Sequence, residues 1–210
     1  MTVPVAGLLL TGGASRRMGV DKMRIRVEGR GLADLVGQVL ATVANPVVEV
    51  GPGVTGLVST REVPPGEGPL AAIAAGWEYL QAQGIPRSAL VVAADLPLIS
   101  PRLLRLLAQW PGDSSVVPVV DGVAQPLCAR WSVAELASAR DRLLQTRSVR
   151  HLASARDVVL VDESTWSRFV DSSVFADVDC PQDLDRLGLC WTAPTHDEAK
   201  GVRSGSWRPQ

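Results

Sequence analysis

The chain has 210 residues, 46% of them apolar and 20% charged, which suits one globular domain with a sizeable core and excludes disorder throughout. Its 21 Lys and Arg stand against 22 Asp and Glu, a net charge of −1, which argues against a nucleic-acid or membrane binder working through overall basicity. Three cysteines without a C-x-x-C pair and two histidines without an H-E-x-x-H exclude a disulfide framework and the common zinc motifs.

Val3 to Leu10 is an apolar run of strand length without alternation, as in a parallel sheet covered on both faces. Leu32, Leu35, Val36, Val39, Leu40 and Val43 keep helical spacing up to the stop at Asn45-Pro46. Val47 to Val50 is a short strand. Behind it, residues 51–56 (GPGVTG) match G-x-G-x-x-G, but Leu57 to Thr60 lean to strand where a dinucleotide fingerprint needs a helix, so this segment reads as a loop. Leu70 to Leu80 is an Ala-rich helix and Ala89 to Ala93 a buried strand. Ser100-Pro101 supplies an N-cap and a first-turn proline ahead of Leu103, Leu106, Leu107 and Trp110 on one face.

Ser115 to Val120 and Val123 to Ala129 flank Asp121-Gly122, a hairpin signal. Ser132-x-x-Glu135 is a capping box for a helix running to about Gln145. Val158 to Val161 is a late strand and Pro181 to Leu187 a last short helix. The alternation predicts a three-layer α/β fold, a mostly parallel Rossmann-like sheet with an antiparallel insertion. Residues 1–190 are expected to form the domain and the polar residues 191–210 a flexible tail. No apolar run approaches about 18 residues, and the N-terminus lacks the pattern of a secretory signal, so the cytoplasm is the expected compartment.

Residues 8–22 read LLLTGGASRRMGVDK: a strand enters a glycine loop followed by Arg16, Arg17 and Lys22. Glycines let backbone N–H groups approach an anion, and three cations within seven residues supply what a polyphosphate demands. No G-x-x-x-x-G-K-[ST] occurs, so this is not a P-loop. The loop leaves the first strand at its carboxyl end, where open α/β sheets bind ligands. Asp95 closes another buried strand, where a carboxylate must be solvated, paired or metal-bound.

The pattern L-x-G-G-x-x-x-R-M-G-x-D-K resembles the molybdenum cofactor guanylyltransferases, a branch of the nucleotidyltransferases. GEGPLAAIAAG at 66–76, VVAADLPLISP at 91–101, Gln125-Pro126-Leu127-Cys128-Ala129 and FADVDCPQDLDRL at 175–187 are similar to that family's further motifs, in its order. The resemblance implies GMP transfer from GTP to molybdopterin with release of pyrophosphate. It assigns the nucleotide to Leu10, Thr11, Gly12, Gly13, Lys22, Glu62, Gly68, Pro69, Leu70 and Asp95. Arg17, Lys22 and Asp95 take the catalytic roles, with Asp95 as ligand of a Mg²⁺ cofactor. Gln125, Asp177 and Asp179 fall to the pterin. Asp177 and Asp179 equally suit a second metal, and Asp179 equally suits a place near the N-cap ahead of Pro181. Arg147 and Arg150 are either partners of the pterin phosphate or a solvated helix end. Implied partners are GTP and the molybdopterin cofactor, with room for transient contact with cofactor-biosynthesis proteins or molybdoenzymes; nucleic acid and membrane are not expected.

Departures from the family pattern fall partly where the base is read. Thr11 stands in place of Ala, Glu62 in place of Asp and Gln125 in place of His. A cytidylyltransferase acting on the pterin, or a nucleotidyltransferase acting on a sugar or lactate phosphate, therefore stays open. From another class, so does a nucleotide-binding regulatory protein without turnover.

Overall fold

The structure, a computed structural model, describes residues 5–12, 25–84 and 88–193. β1 (Ala6–Leu10) is buried along its whole length, and its residues alternate between two cores: Val5 and Leu9 face one, Ala6, Leu8 and Leu10 the other. A strand covered on both faces reads as an unbroken apolar run, which is why the sequence showed no polar face. After β1 come two short strands, β2 (Arg26–Val27) and β3 (Arg30–Gly31), then α1 (Leu32–Ala41), β4 (Val47–Val50) and β5 (Val58–Thr60). α1 ends at Ala41, earlier than the spacing through Val43 suggests, and Thr42 to Ala44 turn back onto the carbonyls of Val39 and Leu40.

α2 (Pro69–Ala82), β6 (Ser88–Ala93) and α3 (Pro101–Ala108) follow. The Ser100 hydroxyl accepts from the Arg102 N–H at 3.2 Å, as expected of the N-cap. β7 (Ser115–Val120) pairs antiparallel with β8 (Val123–Ala124) and with β9 (Cys128–Ser132). The insertion is thus a hairpin whose return strand is interrupted at residues 125–127. α4 (Val133–Arg142) is capped by Ser132, which accepts from Glu135 N–H at 3.3 Å. α5 (Arg150–Ala153), β10 (Val158–Val161), α6 (Glu163–Trp166), a 3-10 turn at Ser172–Phe175, α7 (Pro181–Arg186) and β11 (Trp191–Thr192) complete the described chain.

The main sheet has the order β10-β7-β9-β6-β1-β4-β5, with β8 paired to β7. β1 runs parallel to β4 and β6, β4 to β5, and β10 to β7, while β9 is antiparallel to β6. α1, α3 and α6 contribute Leu40, Leu107 and Trp166 to one face; α2, α4 and α5 contribute Trp77, Leu136 and Leu152 to the other. This is the expected three-layer, mostly parallel architecture with an antiparallel insertion.

A second sheet, β11-β2-β3, lies apart from the first. Its core joins Ile25, Val27 and Leu32 to Val178 and Leu184. Trp191 and Thr192, placed by composition in a tail, pair with Val27 and Arg26, and the Trp191 indole donates to Asp185 at 2.9 Å. Residues 194–210 lie outside the described residues. No helix among the described residues is long and apolar enough to cross a membrane.

Candidate active site

The carboxyl ends of β5, β4, β1 and β6 are tied edge to edge by backbone hydrogen bonds. Gly51 N–H donates to Thr60 at 2.9 Å, Thr11 N–H to Val50 at 3.1 Å and Ala94 N–H to Leu10 at 3.0 Å. These bonds set the residues that leave the four strands side by side: Gly51, Thr11-Gly12, Glu62 and Asp95. Val178 N–H adds the next link, donating to the Asp95 carbonyl at 3.0 Å. Asp177 and Asp179, exposed on either side of buried Val178, are thereby brought to the mouth of β6. On the sheet's other flank, Ala93 N–H donates to Leu127 at 2.8 Å, which carries the Gln125-Pro126-Leu127 segment to the same end of β6.

Leu10 and Thr11 are buried and Gly12 is exposed. The Glu62 carboxylate lies beside Gly12: a Cβ built on Gly12 would sit 3.9 Å from Glu62 Oε1. Glu62 is 7% exposed, and its Oε1 accepts from Gly66 N–H at 2.8 Å. Its buried Oε2 has no hydrogen-bond partner among the described residues. A buried carboxylate oxygen without a donor costs free energy, and in native proteins such an atom calls for an explanation.

Gly68 precedes α2 with φ of +95°, a conformation that favours glycine, and Pro69 takes the first helical position. Leu70 is fully buried and anchors that turn. Glu67 pairs with Arg147 at 2.7 Å, so the segment after α4 borders the Gly68 loop. The Gln125 side-chain amide donates to Val123 at 3.2 Å, within its own hairpin. Gly13, Arg17 and Lys22 lie outside the described residues.

Asp95 is half-buried at the end of β6. Among the described residues no three His, Cys, Asp or Glu side chains gather closely enough to cage an ion. Mg²⁺ takes one or two carboxylates together with phosphate oxygens and water, and Asp95 offers one carboxylate.

Two further residues shape this end of the sheet. Glu49, inside β4, is fully buried and binds both Thr11 and the loop after β4. Asp183 accepts from Asp179 N–H at 2.8 Å and Cys180 N–H at 2.7 Å, which fixes the backbone of the DVDCP segment, and it also pairs with Arg186. Cys180-x-x-Asp183 has the spacing of a capping box, a signal that could have revealed the second of these.

Residues 7–159 match the MobA-like NTP transferase domain. The chain is 33% identical to a protein of Opitutus terrae named "Probable molybdenum cofactor guanylyltransferase", over 87% of this chain and 94% of that protein. It is 35% identical to a protein of the same name from Chloroflexus aggregans, over 65% of this chain and 69% of that protein. Among solved structures, molybdopterin-guanine dinucleotide biosynthesis protein A of Archaeoglobus fulgidus superposes with a TM-score of 0.72 at 21% identity, covering 87% of this chain and 96% of that one.

Proposed function

The chain belongs to the MobA-like NTP transferase domain family, and from that membership we propose that it transfers GMP from GTP to the terminal phosphate of the molybdopterin cofactor, releasing pyrophosphate. The observation that carries the guanine choice is the buried Glu62 carboxylate, whose Oε1 lies beside Gly12 and whose Oε2 has no hydrogen-bond partner among the described residues. A carboxylate only accepts hydrogen bonds and offers about four acceptor sites, of which Gly66 N–H uses one. Guanine presents two adjacent donors, its ring N–H and its 2-amino group. Cytosine and adenine each present a single amino donor beside an acceptor, and that acceptor would face a carboxylate oxygen.

In this reading the guanosine lies over Leu10 to Gly12 toward Glu62, and the Gly68-Pro69-Leu70 turn borders the base. The triphosphate runs toward Asp95, with Arg17 and Lys22 neutralising its charge. Mg²⁺, held by Asp95 and phosphate oxygens, would supply further charge neutralisation at the phosphates. Gln125, Asp177 and Asp179, gathered at the mouth of β6, border the side from which the pterin phosphate approaches the α-phosphorus in line. Positioning and fixed positive charge do most of the catalytic work in phosphoryl transfer, so no protein nucleophile is required.

The test is to incubate the protein with molybdopterin, Mg²⁺ and each nucleoside triphosphate in turn, following pyrophosphate and weighing the product. The expected product is the guanine dinucleotide form, with GTP the preferred donor. Preference for CTP would overturn the assignment of Glu62. Tight GTP binding without pyrophosphate release would favour a regulatory protein over an enzyme.

A further inference from the structure

Glu49 is a carboxylate in the middle of a sheet strand and is 0% exposed. Burying an ionised group is expensive unless donors surround it. Here Oε1 accepts from the Thr11 hydroxyl at 2.6 Å, Gly53 N–H at 2.9 Å and Val54 N–H at 2.9 Å. Oε2 accepts from Thr55 N–H at 2.9 Å and the Thr55 hydroxyl at 2.6 Å. The carboxylate thus ties the loop that leaves β4 to the residue that ends β1. Contact between the two is close enough to demand glycine: a Cβ on Gly51 would lie 2.1 Å from Thr11 Oγ1 and 2.9 Å from Gly12 N.

We infer that Glu49 is a positioning residue for the nucleoside half of the substrate, locking the β4 loop onto Thr11-Gly12 and so fixing Gly12 opposite Glu62. The inference rests on the nucleotide reading above. A Cβ on Gly12 would stand 3.9 Å from Val50 O and 3.9 Å from Glu62 Oε1, so Gly12 sits between the end of β4 and the Glu62 carboxylate. Sheet order divides the site. Glu49 and Glu62 lie on the β4–β5 side of β1, and Asp95 lies on the β6 side. A fault in the Glu49 clamp therefore falls first on the guanosine, while the phosphate contacts at Asp95, across β1, are spared.

Glu49→Gln keeps the size of the side chain but turns one acceptor oxygen toward N–H and O–H donors as an NH₂. The experiment measures GMP binding, inhibition by pyrophosphate, GTP KM and kcat on folded Glu49→Gln and unsubstituted protein. Loss of hydrogen bonds to one charged group is expected to raise GMP Kd and GTP KM about tenfold, with kcat and the pyrophosphate inhibition constant within about threefold. A merely structural role would weaken GMP and pyrophosphate together or move neither, and either result overturns the inference.

Thr55→Val and Thr55→Ser repeat the test from the far side of the clamp, whether or not Glu49→Gln folds. The valine removes the hydroxyl donor and should raise GTP KM by about threefold or more, while the serine keeps the donor and should match the unsubstituted protein. Equal behaviour of the two overturns the inference. If the unsubstituted protein binds neither GTP nor GMP, the guanylyl reading itself fails; if it binds them and the substitutions change nothing, the placement of Glu49 alone fails.

Discussion

Glu62 and a glutamine in its place differ by one acceptor turned donor, which in the proposed reading is the smallest change that tests whether Glu62 meets guanine. Glu62→Gln is expected to lower kcat/KM for GTP about 10²-fold, the effect of leaving a substrate donor facing a donor, with little change for CTP. Steady-state kinetics with both nucleotides check it, and equal losses for the two would place Glu62 away from the base. Glu49 offers a different readout. Burial pushes its carboxyl upward, but hydrogen bonds from Thr11, Thr55 and Val54 outweigh this and hold it below its ordinary value. Its contribution to stability is therefore complete above the unfolded value of about 4.3 and is lost as pH falls through the lower folded value. Glu49→Gln should show a shallower loss of stability than the unsubstituted chain as pH falls below about 4.3 in denaturant titrations. Asp95 was legible because a sequence motif holds it, and Glu62 because the family resemblance points to its position. Glu49 was not, because one acid among Val47, Val48 and Val50 has no periodicity, and its partners at Thr11 and Thr55 become neighbours only when β1 and β4 pair.

Elements long enough to show a period were readable from the chain. The apolar runs of β1 and β6, the spacing of α1 and α3 and the caps at Ser100 and Ser132 each placed an element, although ends shifted by a few residues. Strands of two residues, β2, β3 and β11, carry no period, and β11 finds β2 across more than 160 positions of sequence. Even so, β11 closes the core that holds Ile25 and Val178, and Val178 is bonded to Asp95. A chain ending at Leu189 loses the Trp191 indole bond to Asp185 and the strand paired with Arg26 and Val27. Relative to a chain ending at Ala193, it is expected to lose about 1–3 kcal/mol, a fall in Tm of roughly 3–10 °C for a domain of this size. Thermal melts of the two chains decide the point, and coincident melts would show that β11 adds nothing.

For the whole molecule, layering and the order of the parallel strands determine which residues meet. Four adjacent strands end on one edge, so Gly51, Gly12, Glu62 and Asp95 converge although they span more than 80 positions. Strand-helix alternation made the three layers predictable, whereas the sheet order that separates the Glu62 side from the Asp95 side depends on long-range pairings that no local pattern encodes. The proposed division of this edge into a nucleoside side and a phosphate side is checked by a crystal structure of the protein with Mg²⁺ and a GTP analogue carrying a methylene between its α- and β-phosphorus atoms. Guanine is expected within hydrogen-bond distance of Glu62 and Mg²⁺ about 2.1 Å from an Asp95 carboxylate oxygen. Guanine on the β6 side, or the nucleotide along the groove between α1 and Thr55 to Leu57, would contradict it.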